Sequence, residues 1–113
     1  MKTRPTKSRY VTVDDVRQIL TNPVYGYGIN FEPVERVTQA VMQLNQTLAR
    51  QMQLSNTAPT LAELDQHFQA LFQTLEESGR CTRTSECLPI VSRDVWLESQ
   101  QIIIERLSRG EEV

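Results

Sequence analysis

Apolar positions recur along the chain at the three- and four-residue spacing of helices, and four helical segments follow from that pattern. In the first, Val13, Val16, Ile19 and Leu20 share a face. Thr12 stands as its N-cap with Asp15 three residues on, and Asp14 and Asp15 suit the positive end of a helix dipole. Asn22-Pro23 ends it, because proline disfavours a helical conformation in the residue before it. The second segment opens on Pro33, in a first turn where a missing N–H costs nothing. Val34, Val37, Val41, Leu44 and Leu48 then make a narrow seam of alternating three- and four-residue steps, as in a coiled coil. Residues 55–59 break it. The third segment begins with Thr60 and Glu63 as a capping box, repeats the same spacing through Leu61, Leu64, Phe68, Leu71 and Leu75, and stops at Gly79.

Two matching seams joined by a short loop predict an antiparallel helical hairpin. A cysteine-bearing connector, GRCTRTSECLP, follows it. The fourth helix is capped by Ser92 and runs through Val95, Trp96, Ile102, Ile103, Ile104 and Leu107 to Gly110. Strand patterns are thin, with only RYVTV and PIV readable as short extended pieces. The expected fold is therefore all-α: a small bundle of about four helices around the hairpin, with a basic arm over residues 1–11 and one helical domain over 12–110.

Two features of the pattern do not fit a self-contained bundle. A helix advances by about 100° per residue, so Ile102, Ile103 and Ile104 point across about 200° and cannot all face one core. Either the last helix is buried on two sides, or one isoleucine meets a partner. The outward positions of the second helix are Gln39, Gln43, Gln46, Arg50 and Gln53, and Arg50 is the only charged residue between Arg36 and Glu63. An uncharged amide face suits a surface covered by another chain or by nucleic acid, although glutamine also serves as an ordinary helix former. Gln39, Gln43, Gln46, Arg50, Trp96, Ile102, Ile103 and Ile104 are accordingly the expected partner interface.

Composition narrows the class. A chain of 113 residues with 39% hydrophobic content makes one domain with one core. The net charge of −2 is unevenly spread: Lys2, Arg4, Lys7 and Arg9 stand in an arm without acids, leaving 8 basic against 14 acidic side chains in the rest. With Arg80 and Arg83 of the connector, these four are the expected nucleic-acid contacts, the alternative being a frayed, solvated terminus. No apolar run approaches the ~18–20 residues of a membrane span, and the basic start lacks the apolar stretch of a signal peptide. A cytoplasmic protein is expected, with Cys81 and Cys87 as thiols.

Chemistry is sparse. The one histidine, His67, lies four residues after Glu63, but a catalytic zinc needs about three protein ligands, so no metal and no cofactor are expected. Arg80 and Arg83 would lower the pKa of a neighbouring thiolate, and nothing else marks either cysteine as activated. YGYG is not a phosphate loop, having no G-x-G-x-x-G and no Lys-Ser/Thr after it; its glycines are expected to free the backbone where the chain reverses. Tyr25, Tyr27 and Phe31 are expected to pack under the hairpin.

VRQILTNPVYGYG, from Val16 to Gly28, resembles the start of the recombinase domain of large serine recombinases, with Ile19, Leu20, Asn22, Pro23 and Tyr25 matching its pattern. LPIVSRDVWLESQQIIIERL resembles that domain's closing segment through Pro89, Ile90, Val91, Asp94, Trp96 and Gln100. The likeness contains no catalytic group, and what it implies is contact with DNA. The expectation is a non-enzymatic helical protein acting as a protein–protein interaction or assembly subunit, with a protein partner or a homo-oligomer, no membrane and no evident small-molecule substrate. The alternative is a DNA- or RNA-binding accessory module related to a recombinase-type domain.

Overall fold

The structure, a computed structural model, describes residues 20–110. Most of the predicted first helix and the whole basic arm lie outside the described residues. The predicted stop of that helix lies within them. Leu20 and Thr21 are helical, and Asn22 Oδ1 accepts a hydrogen bond from the Val24 N–H at 3.1 Å. A single helical turn, α1 (Val24–Tyr27), follows, and Gly28 closes it in the left-handed conformation at φ 68°. Then come β1 (Ile29–Glu32), α2 (Val34–Ser55), α3 (Leu61–Glu77), β2 (Thr82–Glu86) and α4 (Arg93–Ser108).

The caps predicted for α3 and α4 are present, Thr12 lies outside the described residues, and Pro33 stands at the N-cap of α2 rather than inside its first turn. Thr60 Oγ1 accepts from the Glu63 N–H while Glu63 accepts from the Thr60 N–H, a reciprocal capping box. Ser92 Oγ accepts from the Val95 N–H at 3.2 Å. Past α3, the Gly79 N–H reaches the Glu76 carbonyl and the Arg80 N–H the Leu75 carbonyl, both at 3.1 Å. These two bonds, with Gly79 at φ 76°, make the Schellman ending that a glycine after a helix supports.

The fold is mostly helical but not all-α. β1 and β2 pair antiparallel, with Ile29 opposite Glu86 and Phe31 opposite Arg83, and the register slips between Asn30 and Phe31 so that Thr84 has no partner residue. Of the two pieces of sequence read as extended, RYVTV lies outside the described residues and PIV forms no strand. β2 carries no apolar side chain and is exposed throughout, so nothing in its sequence alternated.

The two predicted seams meet in one core, where Val37, Val41, Leu48, Leu64, Phe68 and Leu75 are buried, while Leu44, Leu61 and Leu71 are half-buried at its edge and Val34, at the start of α2, is exposed. They are not sufficient for each other. α4 makes its most extensive contact with α2 and also packs on α3 and α1, so three helices share the core. Tyr27, Phe31, Phe68, Phe72 and Trp96 form its aromatic part; the Trp96 ring lies edge-on to Phe68 at 5.1 Å and to Tyr27 at 5.5 Å. Gly26 is what allows this approach, because a Cβ there would run into the Trp96 side chain. Its role is close packing inside a helical turn rather than chain reversal.

A buried amide pair ties α4 down. Asn45 Nδ2 donates to Gln100 Oε1 at 2.9 Å, and Gln100 Nε2 donates to the Leu20 carbonyl at 2.5 Å. Both side chains are fully buried. The run of isoleucines is divided as its geometry requires: Ile103 and Ile104 enter the core and Ile102 stays 55% exposed. Trp96, Ile103 and Ile104 therefore belong to the chain's own core and not to a partner interface, because α1, α2 and α3 already cover two sides of α4.

Candidate functional site

The most exposed apolar segment is the one between β2 and α4. Leu88 is 89% exposed and Ile90 68%, followed by Val91 at 37% and Val95 at 49%, with the free thiol of Cys87 exposed beside them. The backbone beneath is fixed. The Cys87 N–H donates to the Gly28 carbonyl at 2.7 Å, the Val91 N–H donates to the Tyr25 carbonyl at 2.9 Å, and Ser92 then caps α4. Isolated exposed apolar residues are ordinary on a protein surface; four within eight positions, on an anchored loop and the first turn of α4, form a patch. Ile102 lies seven residues beyond Val95 on the same face of α4, about 10 Å along the helix.

Gln39, Gln43, Gln46 and Arg50 are exposed along α2, as the sequence pattern predicts. Between α2 and the end of α3 lies a recess of about 300 Å³ lined by Arg36, Gln39, Ala40, Gln43, Leu75 and Arg80. The fold thus brings Arg80, an expected nucleic-acid contact, together with Gln39 and Gln43 of the expected partner face, and adds Arg36. The connector's other basic residue, Arg83, is engaged already: it pairs with Glu76 at 2.7 Å and Glu86 at 3.7 Å, and its guanidinium lies over the Phe31 ring. Lys2, Arg4, Lys7 and Arg9 lie outside the described residues.

The chemically reactive groups are separated or quenched. Cys81 is buried and Cys87 exposed, and the two are not bonded. Burial pushes the Cys81 thiol up, outweighing the opposite pull of Arg36 and Arg80, so the neighbouring arginines do not produce a reactive thiolate. No group of three or more histidine, cysteine, aspartate and glutamate side chains is placed to hold a metal among the described residues. His67 is exposed, and with Glu63 it lines a shallow depression closed by Pro59 and Met52.

One polar cluster has no counterpart in the sequence pattern. The Tyr27 hydroxyl donates to Asp65 Oδ1 at 2.5 Å, Gln69 Nε2 donates to Asp65 Oδ2 at 2.9 Å, and Arg93 stacks over the Tyr27 ring at 4.4 Å. Burial, then the hydrogen bond to Asp65, pushes the Tyr27 phenol far above its ordinary range. At Asp65 burial alone would raise the pKa, but the bonds from Tyr27 and Gln69 and the charge of Arg93 together hold it below its usual value. A phenol held protonated beside an ionised carboxylate clamps α1 to α3 and offers no nucleophile.

Leu88, Ile90, Val95 and Arg36 are the surface residues that the sequence reading missed. The signal for the first two was CLPIV, an apolar run around a proline with no helical period, which reads as a buried strand when its exposure is unknown. No helix among the described residues is long and apolar enough to cross a membrane. Comparisons of the chain with protein-family models, with curated proteins and with solved structures each find no match.

Proposed function

We propose that this protein works without catalysis, as a subunit that docks on another protein chain through the apolar patch of residues 88–95. The observation that carries the reading is that Leu88 and Ile90 stand largely in water on a loop whose two ends are hydrogen-bonded to Gly28 and to Tyr25 of α1. Fully burying a side chain of this kind is worth about 1.5–3 kcal/mol, so covering both would supply a useful share of a binding energy. Neither side chain supports the core, so changing both to aspartate leaves the fold intact. The test is recovery of the tagged chain from its native host as wild type and as the Leu88→Asp/Ile90→Asp double variant. A stoichiometric protein partner, reconstituted from purified components and lost with the variant, is the expected result. Equal recovery of the same partner by both proteins, or a monomer alone in both, overturns the reading.

A second reading, the nucleic-acid accessory module, is favoured by one observation. The two segments that carry the recombinase likeness meet in space: Val91 bonds to Tyr25, Gln100 to Leu20, and Trp96 packs on Gly26. They form one unit, as the ends of a single ancestral domain would. Absence of any affinity for duplex or single strands at low salt would remove this reading and leave the first in place.

A further inference from the structure

The recess between α2 and the end of α3 is separate from the apolar patch and does not depend on it. Its lining contains two guanidinium groups, two side-chain amides and no carboxylate. Neither Arg36 nor Arg80 has an acidic partner among the described residues, whereas Arg83 and Arg93 do. Arg36 is not loose: its Nη1 donates to the Arg80 carbonyl at 2.7 Å, which holds the fork in place and leaves its remaining N–H groups to face outward. Arg80 is held by its backbone, through the N–H that closes the turn onto Leu75, and its side chain is free. The side-chain amides of Gln39 and Gln43, one turn apart on α2, have no protein partner among the described residues either. Ala40 and the buried Leu75 make an apolar floor.

We propose that this recess binds a phosphate group. Guanidinium forks recognise planar pairs of oxygens and remain charged at any physiological pH. A carboxylate offers two coplanar oxygens and would satisfy one fork; a phosphomonoester offers three non-bridging oxygens, enough to engage both arginines and an amide at once, and a backbone diester offers two that diverge tetrahedrally, one for each arginine. At about 300 Å³ the recess is at the small end of ligand pockets, with room for a phosphate and the small group that carries it. That phosphate comes either from a small phosphomonoester or from the backbone of a nucleic-acid strand.

Titration of the full chain, followed by calorimetry and amide chemical shifts, distinguishes these. The probes are inorganic phosphate, phenyl phosphate and a short single-stranded oligonucleotide without terminal phosphates. The proteins are wild type, Arg80→Gln and Gln43→Glu; neither variant removes a side-chain bond within the protein, so both are expected to unfold at the wild-type temperature. Saturable binding with shifts centred on Arg36, Gln39 and Arg80 is expected. Arg80→Gln should weaken it by about tenfold or more, the loss of one charge-assisted hydrogen bond, and Gln43→Glu by a similar factor through repulsion. Tighter binding of phenyl phosphate assigns the site to a monoester, and tighter binding of the oligonucleotide assigns it to a strand. No saturable binding of any probe by wild type, or binding that both variants leave unchanged, overturns the proposal.

Discussion

Tyr27 is the residue at which most of this structure converges. Its ring meets Phe72 and Trp96, its hydroxyl meets Asp65, and Arg93 covers its outer face. The pKa directions of the pair fix how stability should depend on pH. Asp65 is held below its ordinary value of 3.8, so the stability it contributes is complete above that pH and is lost as pH falls through the lower, folded value. Tyr27 is raised from 10.0, so its contribution is complete below pH 10 and is lost as pH rises beyond it. Denaturant unfolding across the pH range should therefore show a plateau with losses at both ends. In Tyr27→Phe the alkaline loss should shrink, and the acid loss should shrink too because Asp65 loses the bond that lowers its pKa, while a profile identical to wild type would mean that the two groups are not coupled. None of this was legible in the sequence, because Tyr27 and Asp65 are 38 positions apart and only the docking of α1 on α3 joins them.

The elements divide by how local their causes are. α2, α3 and α4 were readable because their caps and seams lie within one stretch of chain, and the structure widens the seams by adding Thr38, Asn45, Ala49 and Phe72. β2 was not readable: TRTSE has no buried face, and it becomes a strand only because INFE lies beside it across the fold. Asn45 shows the same limit from the other side. An asparagine on an apolar seam reads as an exposed position, and its partner Gln100 is supplied by another helix, 55 positions away. Replacing Gln100 with leucine keeps roughly the volume but leaves the buried Asn45 Nδ2 without its acceptor and the half-buried Leu20 carbonyl without its donor. The expected cost is about 1–3 kcal/mol for each buried group left unpaired, read as a lower denaturation midpoint with an unchanged slope. An unaltered midpoint would show that the pair does not secure α4.

At the scale of the whole molecule, the surface and the core answer different questions. The core accounts for Trp96, Ile103 and Ile104, which the spacing alone assigns to a partner face, and leaves Leu88, Ile90, Val91, Val95 and Ile102, with the separate Val34 and Leu54, exposed. The exposed residues of the candidate site were only half legible. The amide face of α2 stands out because charge is missing there, whereas PIV reads only as a short extended piece and nothing in the pattern says that Leu88 and Ile90 face water. The docking claim has a built-in reporter, since Cys87 is an exposed thiol next to Leu88 and Cys81 is buried. Alkylation measured on the isolated chain and on the species recovered from the native host compares the two states directly. Modification of Cys87 in the isolated chain, with Cys81 spared, and strong protection of Cys87 in the recovered species is the result this account predicts. Equally fast modification of Cys87 in both would contradict it, because the patch would then remain open to water where the protein works.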